Sequence, residues 1–177
     1  LLNEAGLPKG VLNVVNGGKE AVDTLLTDER VQAVSFVGST AIAKYIYKTA
    51  SENDKRCQAL GGAKNHAIVM QDAEMENTVN ALIGAAFGSS GERCMAISVV
   101  VAVGSETADN LIAGLKSKMN DLKVGNFDNS KNDFGPLITK DHMEKVKEYI
   151  TSAEAQGADI VVDGRSVNVK GCENGFY

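Results

Sequence analysis

Val31-Gln32-Ala33-Val34-Ser35-Phe36-Val37-Gly38-Ser39-Thr40-Ala41-Ile42-Ala43-Lys44-Tyr45-Ile46-Tyr47-Lys48-Thr49-Ala50 decides the fold. An apolar run rich in Val and Phe reads as a buried strand over 31–37, ended at Gly38-Ser39-Thr40. Residues 41–50 then change period from two to three or four, which predicts a helix with Ile42, Tyr45 and Ile46 inward. Strand, short glycine turn and helix in that order are the repeating unit of a parallel α/β sheet.

The pattern extends in both directions. Upstream, Gly10 to Val15 reads as a buried strand closed by Asn16-Gly17-Gly18, and a short helix follows with Val22, Leu25 and Leu26 on one face. Downstream, 56–60 and 66–70 read as short strands flanking Gly61-Gly62. Asp72 is the expected N-cap of a long helix carrying Met75, Val79, Leu82, Ile83, Ala86 and Phe87, which ends at Gly88-Ser89-Ser90-Gly91. A strongly apolar strand is expected over 97–103. Ser105 is read as the cap of a helix with Ala108, Leu111, Ile112, Leu115, Met119 and Leu122 inward. The polar stretch 123–136 reads as a loop. Thr139 is expected to cap a helix bearing Met143, Val146 and Ile150, closed by Gly157, and 159–163 reads as a short strand.

Composition narrows the function classes. The 177 residues are 44% apolar and 23% charged, the balance of a globular chain. Eighteen basic against 23 acidic residues leave a net charge of −5, and with no basic run this argues against binding a phosphate backbone. No apolar stretch is long enough to span a bilayer. Cys57, Cys94 and Cys172 are odd in number and fit no disulfide framework, which favours a reducing compartment. His66 and His142 are too isolated to suggest a metal site; His66 reads as an edge histidine and His142 as facing solvent. The opening Leu1-Leu2-Asn3-Glu4-Ala5-Gly6-Leu7-Pro8 reads as the last turns of a helix, and the closing Gly175-Phe176-Tyr177 lacks a polar tail. Both are expected of a piece of a larger protein.

Chemistry has two candidate locations. Cys94 follows a small, flexible Gly-Ser-Ser-Gly turn and adjoins Arg93, a cation that favours the thiolate and hence nucleophilic attack. A buried structural cysteine is the alternative, and spacing does not decide between them. Gly38-Ser39-Thr40 has the strand–turn–helix order that presents free backbone amides to a phosphate. The alternative is an ordinary turn with a hydroxyl N-cap, and no GxGxxG fingerprint is present. Lys64 and Asn65 read as loop polarity.

Seven segments in order resemble the aldehyde dehydrogenase superfamily: Asn3-Glu4-Ala5-Gly6-Leu7-Pro8, Gly10-Val11-Leu12-Asn13-Val14-Val15, Ser35-Phe36-Val37-Gly38-Ser39-Thr40, Gly62-Ala63-Lys64-Asn65-His66, Gly91-Glu92-Arg93-Cys94, Phe134-Gly135-Pro136-Leu137-Ile138 and Glu173-Asn174-Gly175-Phe176-Tyr177. Within it, Gln58 to His66 and Gly91 to Ala96 are similar to the CoA-acylating branch that handles methylmalonate semialdehyde. The resemblance implies part of a parallel-sheet NAD-binding domain over 1–60 and part of an α/β catalytic domain over 61–177. It implies Cys94 as the nucleophile and half of an oxyanion hole, and Arg93 as the partner of a substrate carboxylate. Gly17, Gly38 and Ser39 are implied near the cofactor, although the family often has Gly where Ala43 stands. NAD as cofactor, coenzyme A as cosubstrate and a small semialdehyde as substrate follow from it. So do a homo-oligomeric full-length protein and a cytoplasmic or mitochondrial-matrix location. Hydrolytic members carry a deacylating Glu just ahead of the paired glycines; Leu60 stands there in this sequence and no carboxylate is near. A hydrolytic dehydrogenase for another semialdehyde, and an inactive piece serving only as a structural module, are the competing readings. The resemblance covers well under half of a family member, so the chain by itself is expected to bind NAD weakly and to be inactive.

Overall fold

The computed structural model describes residues 1–173 and 175–177, so Asn174 of the last resemblance segment lies outside the described residues. The chain is α/β and divides into two compact units, Leu1–Gly62 and Ala63–Tyr177, each with its own parallel two-stranded sheet.

In the first unit, α1 (Lys19–Thr27) precedes a strand–helix–strand unit of β1 (Ala33–Val37), α2 (Thr40–Glu52) and β2 (Arg56–Leu60). The strands pair in parallel from Ala33 opposite Arg56 to Val37 opposite Leu60. Because strand side chains alternate, Val34, Phe36, Cys57 and Ala59 all turn to one face, where they pack on Leu26, Ile46 and Ala50. The α2 stripe differs from the expected one. Ala43, Ile46 and Ala50 are buried, whereas Ile42 and Tyr45 are exposed. Small alanines let the helix approach the sheet closely, and bulkier Ile42 and Tyr45 flank that seam instead of filling it. Lys55 is buried, and its ammonium donates to the carbonyls of Asp28 and Val31, each at 2.6 Å, tying the entries of β1 and β2 together.

The strand expected over 10–15 does not form. Val11, Leu12, Val14 and Val15 are exposed, and the segment makes turns and extended coil without ladder bonds among the described residues. Apolar composition cannot create a strand without a neighbouring edge on which to satisfy its backbone.

In the second unit, β3 (Asn65–Val69), α3 (Met75–Phe87) and β4 (Ile97–Ala102) form another strand–helix–strand unit, followed by α4 (Ser105–Asp121) and α5 (Lys140–Ala155). Val69, Val79, Leu82 and Leu111 make its core, with Ile83, Val100 and Leu115 packed around them. Two caps differ from expectation. Glu74, not Asp72, caps α3, its carboxylate accepting from the amides of Glu76 and Asn77 at 3.3 and 2.7 Å. The Met70–Ala73 turn holds Asp72 too far upstream to reach those amides. Gly104, at φ +93°, rather than Ser105, occupies the cap of α4, because the tight exit from β4 needs left-handed backbone there. Thr139 does cap α5, accepting from the His142 amide at 3.2 Å. No strand forms over 159–163; Arg165 instead gathers this segment, bonding Asp163 and reaching Thr151 and Glu154 of α5.

Candidate active site

The two candidate locations fall in different units. In the first, β1 ends and Gly38 donates its amide to the Leu60 carbonyl at 3.1 Å. A Cβ at Gly38 would come within 3.0 and 3.3 Å of two Phe36 ring carbons, with a third atom nearer still, so this turn admits glycine alone without moving Phe36. Ser39 is the N-cap residue of α2, yet its hydroxyl caps nothing. Its amide and hydroxyl make no hydrogen bond among the described residues and face solvent at the positive end of the helix. The adjacent Thr40 hydroxyl accepts from the Gly62 amide at 3.1 Å, tying the start of α2 to the double-glycine turn after β2. Gly17 lies ahead of α1, where a Cβ would stand only 2.6 Å from that of Ala21. Ala43 is buried in the first turn of α2.

In the second unit, α3 runs into a 3₁₀ turn, Gly88–Gly91. Ser89 and Ser90 are left-handed, with φ of 56° and 55°, and Gly91 follows at +74°. Serine holds that conformation at a cost of about 1–2 kcal/mol per residue, so the surroundings must impose it. The Ser90 hydroxyl donates to the Gly135 carbonyl at 2.8 Å. Glu92 pairs with His142 at the start of α5, 3.1 Å from carboxylate oxygen to Nε2. His142 is exposed, as its place in a charged helix predicts, and it meets this loop through Glu92. Asn65 donates to the carbonyls of both Cys94 and Ala96 at 2.9 Å.

Cys94 is exposed and forms no disulfide among the described residues. Its amide makes no hydrogen bond among the described residues. The Arg93 guanidinium lies over Gly88, where any side chain would come within 2.7 Å of it, and it forms no ion pair among the described residues. A free thiol, a free amide and an unneutralised guanidinium thus sit on consecutive residues. The Leu137 amide donates to the Phe176 carbonyl at 2.8 Å, so the 134–138 stretch touches both this loop, through Gly135, and the C-terminal segment. Beside the loop is a cleft of about 890 Å³ lined by Phe87, Glu92, Phe134, His142, Met143 and Arg165 among others.

Three participants were invisible in the sequence. Asn65, Ser90 and His142 each act on a segment 29 to 50 residues away or on its carbonyls, and no local pattern marks such a partner. No cluster of three or more potential metal ligands occurs among the described residues, and no helix there is long and apolar enough to cross a membrane.

A family model for the aldehyde dehydrogenase family matches residues 1–177. The chain belongs to the aldehyde dehydrogenase family. A malonate-semialdehyde dehydrogenase of Pseudomonas aeruginosa is 59% identical over the whole chain, which spans 36% of that relative's length. The crystal structure of methylmalonate-semialdehyde dehydrogenase from Oceanimonas doudoroffii superposes with a TM-score of 0.88 at 68% identity, covering 99% of this chain and 36% of that one. A Sinorhizobium meliloti structure described as a methylmalonate-semialdehyde dehydrogenase complexed with NAD gives 0.88 at 53% identity, with 99% and 36% covered. The chain thus spans little more than a third of the aldehyde dehydrogenases it matches.

Proposed function

We propose that this chain supplies the nucleophile, one oxyanion donor and part of the dinucleotide contact of an NAD-dependent, CoA-acylating dehydrogenase for malonate or methylmalonate semialdehyde. The observation that carries the reading is Cys94, exposed, with a free amide beside the unpaired Arg93. The names of the relatives from Pseudomonas and Oceanimonas support the substrate class.

The Cys94 thiolate adds to the aldehyde carbon, and the carbonyl π electrons move to oxygen. That alkoxide accepts a hydrogen bond from the Cys94 amide, worth most where charge develops. The alkoxide lone pair re-forms C=O as hydride leaves, giving a thioester on Cys94; bound NAD is the hydride acceptor. Arg93 holds the substrate carboxylate through paired N–H donors; when the C–C bond to it breaks, CO₂ leaves, the bonding pair passes into the thioester as an enolate, and a proton from water at the α-carbon completes the acyl thioester. The thiolate of coenzyme A then attacks the thioester, forming acyl-CoA and returning the Cys94 thiolate. Neither Ala59 nor Leu60, ahead of the paired glycines, can deprotonate water, which supports thiolysis over hydrolysis. For the cofactor, the exposed Ser39 amide and hydroxyl at the α2 N-terminus fit a pyrophosphate, with Gly38 allowing close backbone approach and Gly17 a second tight turn. These roles assign residues 1–60 to an NAD-binding domain and 61–177 to a catalytic one, in a protein that is homo-oligomeric and cytoplasmic or in the mitochondrial matrix.

The deciding experiment is a rapid-mixing assay on a family-length enzyme carrying these residues, either its own or the Oceanimonas relative's with the matching region exchanged. Without coenzyme A, NADH should appear as a burst equal to the enzyme concentration; coenzyme A should convert it to steady turnover. Full turnover without coenzyme A would replace the acylating reading with the hydrolytic one.

A further inference from the structure

We propose that Asn65 is the positioning residue of the nucleophile, a role that rests on the assignment of Cys94 above. Asn65 is half-buried at the first position of β3, and its Nδ2 donates to the carbonyls of Cys94 and Ala96, each at 2.9 Å. Both acceptors are carbonyls, so the amide can be placed only with its NH₂ toward them; the flipped form would set oxygen against oxygen.

The backbone explains how one side chain reaches both. The β3–β4 register slips between Asn65, opposite Ile97, and His66, opposite Val99, leaving Ser98 as an extra residue on β4. Such an irregularity re-aims the neighbouring side chain. Here Asn65 is brought to the loop that leads into β4. That loop is closed at its base by the Ala96 amide donating to the Arg93 carbonyl at 3.0 Å. The turn makes no use of the Cys94 carbonyl, and Asn65 takes it. Fixing that carbonyl fixes rotation about the Cα–C bond of Cys94, while the bond to Ala96, itself buried, ties the same amide to the rigid start of β4. The nucleophile's sulfur and amide stay in solvent with their directions set. Asn65 exchanges no proton and carries no charge, so it acts through geometry alone. A misplacement of the attacking atom of about 1 Å costs on the order of 100-fold in rate.

The test uses Asn65→Ala and the isosteric Asn65→Asp, whose ionised carboxylate accepts but cannot donate, in the family-length enzyme. Hydrogen exchange reads the tether without any substrate: the buried Ala96 amide, which closes the turn onto the Arg93 carbonyl, should exchange at least tenfold faster in both variants, with the β3–β4 ladder unchanged. The rate constant of the NADH burst should fall on the order of 100-fold, with the aldehyde KM within about twofold. The pH midpoint for alkylation of Cys94 should stay in place in Asn65→Ala. Unchanged exchange in the isosteric variant, or an unchanged burst rate per folded enzyme, overturns the proposal. So does a shifted alkylation midpoint in Asn65→Ala that accounts for the whole rate loss, because Asn65 would then act electrostatically. Faster exchange in the variants of a parent whose burst survives Cys94→Ala would instead overturn the assignment of Cys94 as the nucleophile.

Discussion

The turn after β1 and the loop before β4 both end an element at small residues, and they are held by opposite means. Gly38-Ser39-Thr40 is held mainly by regular structure: a strand bond from Gly38 to Leu60, a helix beginning at Thr40, and one hydroxyl contact to Gly62. The Gly88–Ala96 loop has two left-handed serines and depends on groups from three other places, the Asn65 side chain before it and the Gly135 carbonyl and His142 side chain after it. A dinucleotide phosphate needs only free amides at a helix end, which a strand–turn–helix unit provides of itself. A nucleophile needs one sulfur and one amide aimed together, and in the role proposed for Cys94 tethering from outside the loop would supply that aim.

The largest effect that sharpens this contrast is on Cys94. Cys94→Ala in the family-length enzyme should lower NADH formation roughly 10⁴-fold or more, because the acyl acceptor is lost. Since Cys94 is exposed, the urea midpoint should hardly move. A variant retaining a tenth of the activity would show that another group reacts. Next is Arg93. Arg93→Ala should lower kcat/KM for malonate semialdehyde roughly 10- to 100-fold, the loss expected of a charge-assisted hydrogen bond, while propanal is spared. Equal losses on both substrates would make Arg93 a packing residue over Gly88.

The same contrast governs what could be read from the residues. The β1–α2–β2 and β3–α3–β4 units were legible because strand and helix periods differ and glycines separate them. On α2, apolarity alone points Ile42 and Tyr45 inward, whereas close packing on a sheet selects Ala43, Ile46 and Ala50. The 10–15 and 159–163 segments looked like strands on composition, but a strand is a relation between two segments. At the candidate site, Cys94, Arg93 and Ser39 stood out through their local neighbours. Asn65 looked like loop polarity because its two partners lie 29 and 31 positions away.

Two smaller effects test the first turn against the second on stability. Gly38→Ala should destabilise by about 1–3 kcal/mol, the cost of forcing a core-packed Phe36 aside, and should weaken NAD binding. Equilibrium urea unfolding and NAD titration check both. Ser89→Gly should instead stabilise. It relieves about 1–2 kcal/mol of left-handed strain against about 0.5–1 kcal/mol of added chain entropy, for a net gain of about 0.5–1 kcal/mol. The Ser89 side chain makes no hydrogen bond among the described residues, so nothing offsets that gain. A loss of stability would mean that Ser89 contributes a contact in the complete enzyme.

The smallest effect concerns acid and compares one ion pair from each unit. The Arg30 guanidinium, then its backbone amide, holds the Asp28 carboxyl well below its ordinary value. Arg165 does the same for Asp163, whose carboxyl is lowered from 3.8 to about 2. A carboxyl whose folded pKa is depressed contributes stability that is complete above its unfolded pKa and disappears as pH falls through the folded one. Both pairs therefore contribute fully at neutral pH, and that of Asp163 is lost between about pH 4 and pH 2. The two differ in what they hold. Arg30 bonds Asp28 two residues away, a local clasp, whereas Arg165 also reaches Thr151 and Glu154 and so joins α5 to the segment after it. Protonating Asp163 should loosen that junction. Asp163→Asn should flatten the fall in Tm between pH 4 and 2, and in the parent the Thr151 and Glu154 amides should exchange faster in that range. Asp28→Asn should flatten the curve without changing exchange beyond its own turn. The effect is small because each pair has one exposed partner, Arg30 in the first and Asp163 in the second, and is screened by salt. Parallel Tm curves for Asp163→Asn and parent through this range would show that the Arg165 junction does not depend on the charge of Asp163.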